Sequence, residues 1–343
     1  MKSITLGSTG ITAPQNGFGA LPLQRDDMDT AVRILRRAVD GGMTFFDTAR
    51  AYSDSEEKLG RAFSEGGLRN RLFIATKTMA KTPEGFWRDL ETSLTKLKTD
   101  HVDIYQFHQT TEVYQPGDGT GMYECMLKAK EQGKILHIGV TAHRIGVAEA
   151  LVDTGLYETL QYPFSYLASD REKALSARCL EKNMALIAMK GLAGGLINRA
   201  DAAMAFMTEY DNVMPIWGIQ RERELEEFLR FMTDTPVMDE EKRAFIESER
   251  RELSGDFCRG CGYCMPCPKG IQINNCARMS LMLRRAPSSA WLNDYWQTEM
   301  ARIEECVHCY QCSHKCPYEL DTPALLERNL ADYKKVLSGE TKV

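Results

Sequence analysis

The stretch LFIATKTMAKTPEGFWRDLETSLTKLKTDHVDIYQFH, from Leu72 to His108, decides the fold. It opens on a short β-branched and aromatic run at 72–77, passes through an amphipathic segment at 84–97 and ends in a second such run at 102–108. This reads as a strand, a helix and a strand. The same unit recurs on both sides of it. Strands are predicted at 43–47, 135–141, 159–163, 185–189 and 213–217, with another near 15–21. Helical segments follow them at 28–39, 56–64, 122–132, 147–153, 171–182, 200–209 and 223–231. Eight strand–helix units in series fit an α/β fold of the (β/α)8 TIM-barrel type better than an open doubly wound sheet, which commonly has about five or six strands. Residues 4–11 read as a small hairpin capping the bottom of that barrel.

Beyond the barrel pattern the composition changes. A highly charged stretch at 239–252 reads as a solvated connecting helix, and a helix-prone segment at 277–299 separates two cysteine runs. The expected organisation is a barrel over 1–235, a connecting helix over 236–254 and a small, mainly α-helical, ferredoxin-like domain over 255–343. Nine of the 11 cysteines lie between Cys258 and Cys316. The N-terminus lacks the apolar core of a signal peptide and every long apolar run is broken by charge, so a soluble, cytoplasmic protein is expected. In a reducing cytosol, clustered cysteines serve metal binding or redox chemistry rather than a disulfide framework. The formal net charge is −5, and residues 251–343 carry 12 Lys+Arg against 11 Asp+Glu. Neither part has the basic excess that nucleic-acid or membrane-surface binding requires.

The first cysteine run is Cys258, Cys261, Cys264 and Cys267, the last followed by Pro268; the second is Cys306, Cys309, Cys312 and Cys316, the last followed by Pro317. Three thiolates spaced by two residues wrap one face of a cubane, and in two-cluster ferredoxins a fourth Cys followed by Pro ligates the other cluster. By that rule Cys258, Cys261, Cys264 and Cys316 hold one [4Fe–4S] cluster, while Cys306, Cys309, Cys312 and Cys267 hold another. The first run has one residue fewer than the usual spacing before Cys267. Paired CxxC elements also build zinc sites, and disulfide or thiol exchange is a further alternative. Cys276, Cys125 and Cys179 are expected as small buried apolar residues. His308 and His314 are not needed as ligands.

Barrel chemistry belongs at the C-terminal ends of the strands. Asp47 ends the second strand, with Tyr52 five residues on; Lys77 ends the third and His108 the fourth. The grouping suits proton donation to a carbonyl oxygen. A Tyr phenol becomes a usable acid/base if a neighbouring ammonium stabilises its phenolate, with Asp47 holding Lys77 charged and His108 orienting the substrate oxygen or relaying a proton.

In order, spacing and strand placement, Asp47, Tyr52, Lys77 and His108 resemble the tetrad of the aldo-keto reductase superfamily, over roughly residues 1–235. The resemblance implies a nicotinamide site. Thr141 and Gln161 would meet the carboxamide; Gly191, Leu192, Gly194 and Gly195 would wrap the pyrophosphate; Gly218, Gln220, Arg221, Glu224 and Glu227 would grip the adenosine end. Departures from the family pattern fall at Ala142, at Met189 in the place of a stacking aromatic, at Gln220 in the place of a basic residue, and at Glu224 and Phe228. The whole chain resembles the branch of bacterial and archaeal aldo-keto reductase-like proteins with a C-terminal ferredoxin-type domain.

The resemblance implies an NADP(H)- or NAD(H)-dependent oxidoreductase interconverting a small carbonyl compound and an alcohol by hydride transfer, with Tyr52 as acid/base. To it is appended or coupled a two-cluster electron-transfer domain with a redox partner protein. Two alternatives remain: an electron-transfer protein whose barrel binds a different substrate or cofactor, and a redox-sensing protein with a vestigial barrel site. Hydride transfer moves two electrons together and each cluster accepts one, so the two halves are not directly matched.

Overall fold

The computed structural model describes residues 1–253, 257–285 and 287–343. Ten strands are described: β1 (Ser3–Thr5), β2 (Thr12–Pro14), β3 (Gly17–Gly19), β4 (Phe45–Asp47), β5 (Phe73–Thr78), β6 (Val102–Phe107), β7 (Ile135–Thr141), β8 (Thr159–Pro163), β9 (Ala185–Met189) and β10 (Val213–Gly218). β3 to β10 form a closed parallel barrel, with β10 pairing back onto β3 through Ile216 opposite Gly17. Helices α1 (Met28–Asp40), α2 (Ser55–Phe63), α3 (Pro83–Leu97), α4 (Met122–Glu131), α5 (Ile145–Thr154), α6 (Asp170–Glu181), α7 (Ala200–Met207) and α8 (Glu222–Thr233) alternate with the strands. The (β/α)8 expectation therefore holds, with element ends shifted by a few residues where caps decide them. Asp27, for example, starts α1 by accepting from the Thr30 amide at 2.8 Å.

The antiparallel pair β1–β2 closes the bottom of the barrel. Ile4, Leu6, Ile11 and Ala13 are buried with Phe45, Ala75, Ile104, Ile187 and Met214 in one apolar cluster that fills the barrel interior. The opposite end is left for polar side chains.

The chain divides into two compact units. The first is Met1–Gly191 with Ala200–Arg243; the second is Ala244–Val343 together with the loop Leu192–Arg199. This division differs from the expected boundary between 235 and 255, of which residues 254 and 255 lie outside the described residues. The charged helix α9 (Glu240–Glu252) is not wholly solvated: Ile246 and Glu249 are buried, and Glu249 accepts from both terminal nitrogens of Arg285 at 2.6 and 2.8 Å.

The rest of the second unit is helical: α10 (Ile273–Cys276), α11 (Met279–Arg285), α12 (Asp294–Ala301), α13 (Gln311–Lys315) and α14 (Thr322–Leu337). The single helix-prone segment expected at 277–299 is instead two helices. Pro287, which has no amide hydrogen to donate, precedes a 3-10 turn at Ser288–Ala290, and Asn293 starts α12 by accepting from the Trp296 amide. The core combines Ile271, Ile273, Cys276, Met279, Met300, Ile303, Leu326 and Tyr333. Cys276 takes the buried apolar place expected of it, as do Cys125 and Cys179.

Candidate functional site

Parallel register aligns the polar ends of neighbouring strands at the C-terminal rim of the barrel. Asp47 pairs with Ala75, and Lys77 with Gln106. Lys77 and Asp47 are both buried, and Lys77 Nζ donates to Asp47 Oδ1 and Oδ2 at 2.7 Å and to the Thr48 carbonyl at 2.6 Å. An ammonium has three N–H donors, and here each has an acceptor. Burial disfavours both charges, lowering Lys77 and raising Asp47, and each partner's charge opposes that.

Tyr52 lies in the loop between β4 and α2, with Lys77 Nζ 5.2 Å from its ring centroid and the His108 ring at 5.7 Å, nearly perpendicular. Burial first, and then the Asp47 carboxylate, push the Tyr52 phenol above its ordinary value. The expected lowering by Lys77 is thus outweighed by burial and the Asp47 charge. His108 is pushed down to about 3 by burial and by the Lys77 charge, so its imidazole is neutral. Its Nδ1 is buried and has no hydrogen-bond partner among the described residues. His143 is also buried and held well below its ordinary value by burial and by the Lys190 charge.

Two supporting sets were not singled out from the sequence. Glu56, fully buried in the first turn of α2, accepts from Thr76 Oγ1 at 2.7 Å and pairs with Arg50. Gln106 Nε2 donates to Gln161 Oε1 at 2.9 Å, and Gln161 Nε2 reaches Asp47 Oδ1 at 3.4 Å. The signal available was polarity at inward-facing strand positions, but only closure of the barrel pairs Gln106 with Gln161 across β7.

The expected nucleotide residues separate between the units. Thr141, at the end of β7, is buried, and its hydroxyl accepts from the Gln109 amide at 2.7 Å. Gly191 packs against Trp217, where a Cβ would lie 2.6 Å from Cζ3. Leu192, Gly194 and Gly195 belong to the second unit, and the Gly195 amide donates to the Leu192 carbonyl at 2.9 Å. On the barrel unit, Gly218 is exposed, Gln220 Nε2 donates to Asp26 Oδ1 at 3.1 Å, and the Glu224 carboxylate accepts from the amides of Gln220 and Arg221 at the start of α8. Arg221 is exposed, and Glu227 lines a surface groove with Arg223 and Arg230.

In the second unit the cysteines line two cavities. Cys258, Cys261, Cys264 and Cys316 line one, with Ile273 and Tyr318; Cys267, Cys306, Cys309 and Cys312 line the other, which Cys264 also borders. The last cysteine of each run thus lies with the first three of the other. Among the described residues no three His, Cys, Asp or Glu side chains converge as a single metal ion would require. His308 turns away to Glu327 at 2.7 Å. No helix is long and apolar enough to cross a membrane, among the described residues.

The Aldo/keto reductase family profile matches residues 15–207, and a 4Fe-4S dicluster domain profile matches residues 257–321. The chain is similar to the aldo-keto reductase YhdN of Bacillus subtilis, at 28% identity over 57% of this chain and 64% of that protein. It is also similar to the methylglyoxal reductase DkgB of Salmonella typhi, at 32% identity over 41% of this chain and 52% of that protein. It therefore spans less than two thirds of the length of either relative. Among solved structures, the holo form of aldo-keto reductase AKR11C1 from Bacillus halodurans superposes with a TM-score of 0.64 at 19% identity, covering 73% of this chain and 96% of that one. An aldo/keto reductase from Klebsiella pneumoniae in complex with NADP and acetate gives 0.61 at 24% identity, over 72% and 94% of the two chains. At these identities the superpositions speak to the fold. With a closed parallel barrel and a family match over more than half its length, the chain belongs to the aldo/keto reductase family and continues into a 4Fe-4S dicluster domain.

Proposed function

We propose that this chain is an NADP(H)- or NAD(H)-dependent oxidoreductase that interconverts a small carbonyl compound and an alcohol, and that its second unit carries two [4Fe–4S] clusters. The observation that carries the first part is the rim set of Asp47, Tyr52, Lys77 and His108. The reduced nicotinamide, when bound, supplies the hydride. Tyr52 holds the proton at its hydroxyl, since burial keeps the phenol protonated through neutral pH, and delivers it to the substrate oxygen. Neutral His108 orients that oxygen. Lys77, fixed by Asp47 and Thr48, keeps a positive charge beside the Tyr52 ring, which stabilises negative charge as it develops on the phenol.

The residues fit a nucleotide. Gln161 retains an amide N–H beyond its long contact to Asp47. Arg221 and Arg223 are exposed and make no ion pair among the described residues, which suits an anionic adenosine end. The cluster reading rests on the two cysteine-lined cavities. Cys258, Cys261, Cys264 and Cys316 would hold one cluster, and Cys267, Cys306, Cys309 and Cys312 the other. Bound there, the clusters supply one-electron transfer to or from a partner protein. A cytoplasmic setting follows from the reduced state that these thiolates need.

The test is anaerobic titration of the loaded protein with NADH and with NADPH, alongside Tyr52→Phe. The expectation is binding of at least one nucleotide, and carbonyl reduction lowered by about 10²- to 10⁴-fold in the variant with nucleotide affinity kept. Absence of binding by either nucleotide, or undiminished turnover in the variant, refutes the reading.

A further inference from the structure

The loop Leu192–Arg199 follows β9 directly, yet it packs with the cysteine-bearing unit. Two arginines hold it there. Arg278 Nη1 donates to the Gly194 carbonyl at 2.7 Å, and Arg285 Nη1 donates to the Leu196 carbonyl at 2.9 Å. Their surroundings differ. Arg285 is neutralised by Glu249 and Glu252. Arg278 has no carboxylate partner among the described residues; its Nε, like that of Arg285, is buried without a hydrogen bond. The guanidinium lies instead between two glycines, Gly194 and Gly260, and a Cβ at either would come within 2.8 Å of Nη1. Gly260 belongs to the first cysteine run, and its amide donates to Cys258 Sγ at 3.4 Å. Arg278 is half-buried, with its Nε away from water, and the side that faces Gly260 and the first cysteine run is where a counter-charge can be.

We propose that Arg278 is a counter-charge of the cluster held by Cys258, Cys261, Cys264 and Cys316, beside Arg259, which lines the same cavity, and that Arg278 couples the redox state of that cluster to the loop Leu192–Arg199. One electron enters from a one-electron donor, which is oxidised; the cluster is reduced, and no covalent bond forms or breaks. The cluster and its thiolates gain one negative charge, which favours the guanidinium in place. The Gly194 carbonyl, bonded to the same group, is held more firmly with it. The loop that follows β9 is thereby tighter in the reduced protein than in the oxidised one. Arg285, whose charge is already balanced, anchors the loop without sensing the electron.

The test uses the full chain, purified anaerobically with iron loaded, in four forms: wild type, Arg278→Met, Arg278→Lys and Arg285→Met. Each cluster is titrated with dithionite under electron-spin-resonance detection, and amide hydrogen exchange across 192–199 is compared in the oxidised and reduced states. In Arg278→Met the reduction equilibrium constant of one cluster should fall at least tenfold, equivalent to about 59 mV for one electron, with the other unmoved. Arg278→Lys should keep the potential within about threefold of wild type. Wild-type protection of the loop should rise on reduction, and this rise should vanish in Arg278→Met. Arg285→Met should loosen the loop equally in both states at an unchanged potential. Equal potentials in wild type and Arg278→Met, equal shifts in the Lys and Met variants, or redox-independent protection in wild type would each overturn the inference. It rests on the two-cluster reading: a preparation without iron–sulfur absorption removes both, whereas an intact chromophore with an unmoved potential removes this inference alone.

Discussion

Three acceptors within 2.6 to 2.7 Å of Lys77 Nζ determine how the candidate acid behaves. The Lys77 hydrogens are committed to Asp47 and Thr48, so the ammonium acts on Tyr52 through space, from 5.2 Å. His108 offers a clean pH test. Its pKa falls from 6.5 in the unfolded chain to about 3 in the native one, so between those values the unfolded state binds the extra proton. Stability should therefore decline as pH drops through that window and be unaffected by this group above 6.5. Denaturant midpoints measured from pH 7 to pH 4 should show the decline, and His108→Gln should flatten part of it, His143 contributing in the same direction. A carbonyl-reduction profile that breaks near pH 6.5 in wild type and not in the variant would mean that the imidazole titrates normally.

At the scale of elements, amphipathic periodicity identified the barrel strands and helices because each helix packs one face on the sheet. It failed at 277–299, where the apolar residues serve two helices, α11 and α12, joined through a turn after Pro287. The strand-β9 loop shows a different limit. Its glycines read as a phosphate cradle, but Gly191 is small because Trp217 occupies the space, and Gly194 because Arg278 does. One side chain of helix α14 ties it to Ala277 and Ser280. Buried Asn329 donates to the Ala277 carbonyl at 3.2 Å and the Leu325 carbonyl at 2.8 Å, and accepts from the Ser280 amide at 2.9 Å. Asn329→Ala would leave the Ser280 amide and the Ala277 carbonyl without partners, so the second unit should lose about 1–3 kcal/mol. Loss of cluster absorption against denaturant should move to lower concentration by that amount; an unmoved midpoint would show that water replaces the amide at no cost.

For the whole molecule, the two units make separate demands that can be separated by experiment. If the cavities hold two clusters, wild type should bind about eight irons per chain. Cys258→Ala and Cys306→Ala should each remove about four, with nucleotide binding by the barrel retained. Loss of all iron from both variants would indicate one shared centre instead.

The sequence by itself determined the eightfold strand–helix alternation and the two cysteine runs, because periodicity and covalent spacing are local properties. It also named Asp47, Tyr52, Lys77 and His108, since strand ends are local as well. Only the tertiary structure decided what surrounds them. Barrel closure brought Gln106 to Gln161, burial placed three acceptors on Lys77, and folding of the second unit set Cys316 with the first run and Cys267 with the second. The same folding made the loop Leu192–Arg199 part of the second unit. Desolvation and long-range pairing depend on which distant residues exclude water from a given atom, and no window of sequence carries that information.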